Sequence, residues 1–117
     1  IWGDSKEKVL AEKIKSKATS VRVCEKLTID SLKLLVSKVD LVIGPDTGPT
    51  HMAWALNVAS ITLFGPTPGY RNSYITQINR NIESKSNVNP LKIDKNDLSI
   101  KDIDVQEVFQ VSQELLS

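Results

Sequence analysis

Apolar positions along the first half of this chain recur at two different periods, and the alternation between them predicts helices and strands in turn. Val9, Leu10 and Ile14 fall on one side of a helix that Asp4 or Ser5 can cap and that runs to about Lys17. Val21-Arg22-Val23-Cys24-Glu25 reads as a short strand. Behind Thr28 as cap, Ile29, Leu32, Leu35, Val36 and Val39 return at helical spacing, with Asp30 in the first turn where the helix dipole favours an acid. An apolar strand then ends at Gly44. Pro49 stands where a first helical turn tolerates a missing N–H, Met52-Ala53-Trp54-Ala55-Leu56 continues that helix, and Asn57 marks its stop. Ser60-Ile61-Thr62-Leu63-Phe64 is the next strand, and Gly65-Pro66-Thr67-Pro68-Gly69 breaks it. From Tyr70 to Lys101 the sequence turns polar and asparagine-rich, which predicts irregular structure. Asp104 with Glu107 forms a capping box ahead of a closing helix whose inward face carries Val105, Val108, Phe109, Ser112, Leu115 and Leu116.

Strands that are apolar on both sides, separated by helices, belong in a parallel sheet covered on both faces and joined by right-handed crossovers. The expected fold class is therefore α/β, a Rossmann-like three-layer parallel sheet, with residues 1–117 forming one domain. At 117 residues and 40% hydrophobic content the chain can bury one modest core, and no apolar run has membrane-spanning length. Fifteen basic against fourteen acidic residues leave +1, so no global field draws nucleic acid to it. The lone Cys24 excludes an internal disulfide and a cysteine-rich metal site, and its apolar setting fits a core thiol in a reducing cytoplasm. Ile1-Trp2-Gly3-Asp4 has no initiator methionine and leads straight into a charged helical pattern, so no secretory leader is expected. The chain is expected to follow an upstream strand in a longer protein.

Open parallel sheets bind ligands beyond the carboxyl ends of their strands, and there the sequence collects its unusual polar groups. Three loops qualify: Trp2-Gly3-Asp4 with Glu7, Asp46 to His51, and Gly65 to Arg71. In the second, Gly44-Pro45-Asp46-Thr47-Gly48-Pro49-Thr50-His51 joins strand to helix, so free N–H groups and the positive end of a helix dipole converge on one point, as a diphosphate requires. It has neither the glycine spacing of a dinucleotide fingerprint nor the Gly-Lys-Ser/Thr of a P-loop, which weakens NAD and P-loop ATPase readings. Thr47 and Gly48 suit a phosphate; Asp46 would repel one, and is better used capping the turn's amides or orienting a sugar hydroxyl. His51, near a positive helix end, is expected to serve as a neutral donor. One histidine and one nearby carboxylate do not complete a metal site, so no metal is expected. A bare capped turn and a structural histidine are the plain alternatives, and for Glu7 a solvated helix face. Tyr70-Arg71-Asn72 offers a cation to a leaving diphosphate, or a solvated arginine, while Trp54 and Phe64 read as core.

Taken as an ordered set, Trp2-Gly3 with Glu7, Asp46-Thr47-Gly48 with His51, and Phe64-Gly65-Pro66-Thr67-Pro68 resemble the C-terminal half of ADP-heptose:lipopolysaccharide heptosyltransferases, glycosyltransferase family 9. The resemblance implies the C-terminal lobe of a GT-B fold, truncated at its N-terminus. It also implies that the lobe holds ADP-heptose, needs no metal or other cofactor, and takes part in moving heptose to the Kdo region of lipid A. Carried over by position, Glu7 holds the ribose, Leu27 packs on adenine, Thr47, Gly48 and His51 form the diphosphate turn, and Asp46 helps position the heptose or the turn. The family's Gly-Pro-Thr usually continues Asp-Pro, whereas here Pro68-Gly69 follows Thr67. By the same resemblance no catalytic residue lies in this chain. The base, the acceptor site and a basic residue assisting the leaving ADP all belong upstream of Ile1. The whole enzyme would be cytoplasmic, meeting its lipid acceptor peripherally at the inner-membrane face, with no nucleic-acid partner. Two other readings remain: another GT-B sugar-nucleotide transferase or epimerase lobe, and a non-catalytic α/β module with an exposed strand edge for a partner.

Overall fold

The computed structural model describes residues 1–65, 75–83 and 103–117, which fall into two compact units, Ile1–Leu32 and Lys33–Ser117. In the first unit α1 spans Ser5–Lys17, as the sequence predicts. Its start is a complete capping box: Asp4 Oδ1 accepts from Glu7 N at 2.8 Å, and Glu7 Oε2 accepts in return from Asp4 N at 3.3 Å and from Gly3 N. Trp2 lies beneath Lys8, whose ammonium sits 5.0 Å from the ring centroid, and its indole N–H donates to the Cys24 carbonyl. Val9, Leu10 and Ile14, expected to point inward, are all exposed. The support visible for α1 is local: the capping box at its start, and Lys15 and Lys17 in its last turn, where the helix dipole favours a cation. Asp4→Ala should cost about 1 kcal/mol of helix stability, read as reduced far-UV ellipticity and earlier urea unfolding. An unchanged transition would mean that the box contributes nothing.

Val21–Glu25 does not form the expected strand. Val21 N donates to the Ala18 carbonyl in a turn and the Cys24 carbonyl accepts from the Trp2 indole, so these two backbone groups are taken outside any ladder. α2, Ile29–Lys38, begins as predicted at Thr28, whose Oγ1 accepts from Ser31 N at 3.1 Å. The unit boundary falls inside this helix. Val36 is its buried residue, while Ile29 and Leu34 are exposed.

The second unit is built on β1 (Val42–Pro45), β2 (Ser60–Phe64) and β3 (Asn79–Glu83), parallel and in that order among the described residues. Between β1 and β2 runs α3, Gly48–Ala55, and α4 closes the chain as Val105–Leu116. Asn57 turns the chain out of α3 with φ 58°, a left-handed conformation that asparagine tolerates, which is the stop the sequence announces. β3 corrects the sequence reading, which left residues 70–101 irregular. Register pairs Ser60 with Val42 and Asn79, Ile61 with Ile43 and Arg80, and Thr62 with Gly44 and Asn81. Alternate rows face opposite sides. α3 covers the row of Gly44 and Thr62, since a Cβ on Gly44 would point at Thr50 of that helix. α4 covers the opposite side, where Glu114 reaches Arg80 at 3.7 Å. The expected three layers are therefore present in this unit. The core is Ile61, Phe64 and Ile82 with Val36 and Ala53.

Asn79 locks β3 onto β2 at its start. Its Nδ2 donates to the Val58 carbonyl at 3.0 Å and to Ser60 Oγ at 2.9 Å, while its Oδ1 accepts from Thr76 Oγ1 at 2.8 Å. On α4 the inward stripe is Val108, Val111, Ser112 and Leu115, all half-buried; Val105, Phe109 and Leu116, expected on that face, are exposed. Asp104 caps through Gln106 N at 2.9 Å, the second helical residue, rather than through the amide of Glu107. No helix among the described residues is long and apolar enough to cross a membrane.

Candidate nucleotide-binding turn

At the carboxyl end of β1 the chain turns into α3 by a compact set of bonds. The Pro45 carbonyl accepts from Thr47 N at 2.9 Å and from Thr50 Oγ1 at 2.8 Å, so one oxygen ties the turn to the first turn of the helix. Thr47 takes the N-cap position in extended conformation, φ −140° and ψ 171°, yet its hydroxyl makes no capping bond. The first-turn donors are then the N–H groups of Gly48 and Thr50, because Pro49 between them has none. Among the described residues a Cβ placed on Gly48 would meet nothing within 4 Å, so none of them covers the backbone where the helix dipole is most positive.

Beside that space Asp46 and His51 pair, His51 Nε2 lying 2.6 Å from Asp46 Oδ1. The carboxylate is mostly covered, its side chain 15% exposed, while the imidazole is 43% exposed. Trp54, one helical turn on, stacks its ring against His51 with centroids 4.3 Å apart and planes inclined 25°. Sequence reading placed Trp54 in the core. The missed signal is the spacing, since residues three apart on a helix share a face. The expectation of a neutral histidine donor also meets a constraint: the ring nitrogen at Asp46 is engaged, and the acid expected to cap amides or hold a sugar faces the imidazole.

Of the other predicted site residues, Glu7 lies in the first unit, where its Oε2 serves the capping box, and Leu27 is half-buried in the irregular segment before α2. In the second unit the structure brings together Asp46, Thr47, Gly48 and His51. Thr50, not singled out from the sequence, is the side chain that fastens their turn. The Pro66-to-Arg71 part of the third loop lies outside the described residues. Among the described residues no three His, Cys, Asp or Glu side chains gather as a metal ion would need.

The model of glycosyltransferase family 9 (heptosyltransferase) matches residues 1–99. The chain belongs to glycosyltransferase family 9. The lipopolysaccharide heptosyltransferase 1 of Campylobacter coli is 36% identical to this family 9 chain over 119 residues, which cover 97% of the chain and 35% of that protein. The proteins of the same name from Pseudomonas aeruginosa and Escherichia coli are each 30% identical over 74 residues, 62% of this chain, and 21% and 23% of their own lengths. The chain thus spans about a third or less of the curated relatives it matches. No solved structure matches it.

Proposed function

We propose that this chain is the donor-binding part of a lipopolysaccharide heptosyltransferase, and that the β1–α3 junction grips the diphosphate of ADP-heptose. The observation that carries the reading is Gly48: in a family 9 chain, a helix N-terminus at the carboxyl end of a parallel strand opens onto space that no described residue fills, with a histidine and a carboxylate beside it. In the transfer an acceptor hydroxyl on the Kdo region of lipid A attacks the anomeric carbon, the bond to the β-phosphate oxygen breaks, and ADP leaves carrying the charge. The Gly48 and Thr50 N–H groups would stabilise that charge as fixed dipoles, each worth roughly 3 kcal/mol by comparison with a single oxyanion donor elsewhere. No metal is needed in this reading. The base and the acceptor site lie outside this chain, Glu7 and Leu27 would contact ribose and adenine, and the whole enzyme would work at the cytoplasmic face of the inner membrane.

The test uses the full-length enzyme. ADP at about a hundred times its dissociation constant should stabilise the folded state by roughly 2.7 kcal/mol, visible as later melting, and UDP or NAD should do less. Gly48→Ala meets no described residue and should leave melting unchanged while weakening ADP binding. Thr47→Val should weaken it about ten- to hundredfold, the scale of one hydrogen bond to a charged group. Cys24→Ala should bind as wild type. Preference for UDP would shift the reading to another sugar-nucleotide enzyme, and no response to any nucleotide would leave the turn a cap within a non-catalytic module.

A further inference from the structure

The geometry points to His51 meeting the diphosphate as an imidazolium, so that docking of the donor takes up a proton, with Trp54 as the positioning residue that holds the charged ring. The inference rests on the reading of this turn as the diphosphate site. An ionised carboxylate can only accept, so at 2.6 Å from Asp46 Oδ1 the His51 Nε2 is the donor. A neutral imidazole has a single N–H, and that one is already committed. Its Nδ1 then carries a lone pair, which a phosphate oxygen repels. A ring protonated at both nitrogens gives Nε2–H to Asp46 and Nδ1–H to the phosphate, and the balance is one proton drawn from solvent for each diphosphate bound.

The surroundings suit that charge. Asp46 sets a mostly covered carboxylate against the ring, and the Trp54 face stacked at 4.3 Å attracts a cation. The dipole of α3 opposes it, and the arriving diphosphate cancels that opposition with its own negative charge. α3 carries no other acid or base, and neither β1 nor β2, against which it packs, carries any. Among the described residues, Asp46 is therefore the charge paired with His51. Trp54 acts through the imidazole: without its face the ring loses both its stack and a partner for its charge.

The experiment is calorimetric titration of the full-length enzyme with ADP-ribose, whose diphosphate bridges two carbon atoms and has no oxygen that titrates near neutrality. Heats are compared between buffers of different ionisation enthalpy from about pH 6 to 9, the span in which an imidazole changes charge. The expected result is an uptake that rises with pH toward roughly one proton per ligand, with affinity falling up to tenfold per unit at the alkaline end. His51→Asn should still bind, more weakly, with no uptake. Trp54→Phe should keep the uptake, and Trp54→Ala should lose affinity most at high pH. Binding without uptake anywhere in the range, or an uptake that survives in His51→Asn, overturns the inference while leaving the nucleotide site standing. A Trp54→Ala loss of equal size at every pH removes the positioning role. If neither ADP-ribose nor ADP binds the folded enzyme, the reading of the site itself fails.

Discussion

Phe64→Ala should lower the free energy of unfolding by about 3–5 kcal/mol, enough to leave the second unit marginal. Phe64 is 1% exposed at the end of β2, the strand with a parallel neighbour on each side among the described residues. Removing its ring deletes a large apolar transfer contribution and opens a cavity at a fully buried position, on the face of β2 that it shares with the buried Ser60 and Thr62. Phe109→Ala is the matched comparison. That ring is 58% exposed on α4, and its loss should change stability by no more than about 0.5 kcal/mol. Urea unfolding followed by circular dichroism measures both. A loss below about 1 kcal/mol at Phe64 would mean that the strand does not sit where the register puts it.

The two phenylalanines also mark how far the sequence could be read. Phe64 closes the strand pattern Ser60-Ile61-Thr62-Leu63-Phe64 with a breaker behind it, and both its strand and its burial follow from that local pattern. Phe109 lies on a helix whose apolar residues spread over more than one face, and periodicity alone cannot say which of them meets a sheet. Elements announced by caps and stops came out with the predicted bounds, as at Asp4, Thr28 and Asn57. What failed was non-local. Asn79-Arg80-Asn81-Ile82-Glu83 has the composition of a loop, and it is a strand because β2 offers a ladder and Asn79 bonds to Val58 and Ser60. Val21–Glu25 has the composition of a strand, but its Val21 N–H goes to the Ala18 carbonyl and its Cys24 carbonyl to the distant Trp2 indole. The candidate site divides in the same way. Asp46, Thr47, Gly48 and His51 were legible as a cluster because they fall within six residues of one another, whereas the pairing that engages Nε2 and the Trp54 stack depend on side-chain directions that the sequence does not fix.

Gly44→Ala should be the second most damaging change, at about 1–3 kcal/mol, and it should reach the candidate site directly. Gly44 has no positive φ, so alanine fits its backbone and the obstacle is space alone. The new methyl would lie 2.8 Å from Thr50 Oγ1, the oxygen that donates to the Pro45 carbonyl. Thr50 is 1% exposed and β-branched, so it cannot swing away; either its bond to Pro45 breaks or α3 moves off the sheet. Both displace the Thr50 N–H, one of the donors proposed for the diphosphate. Thr50→Ala by itself should cost about 1 kcal/mol for the lost hydrogen bond. In the double variant the alanine at 44 occupies the space the hydroxyl vacated, so its cost should fall short of the sum by at least roughly 0.5 kcal/mol. ADP affinity in the full-length enzyme should follow the same order, weakest in Gly44→Ala and partly restored in the pair. Strict additivity in both stability and affinity would show that the strand glycine and the helix threonine are not in contact, and that the turn is fastened by something other than the Thr50–Pro45 bond.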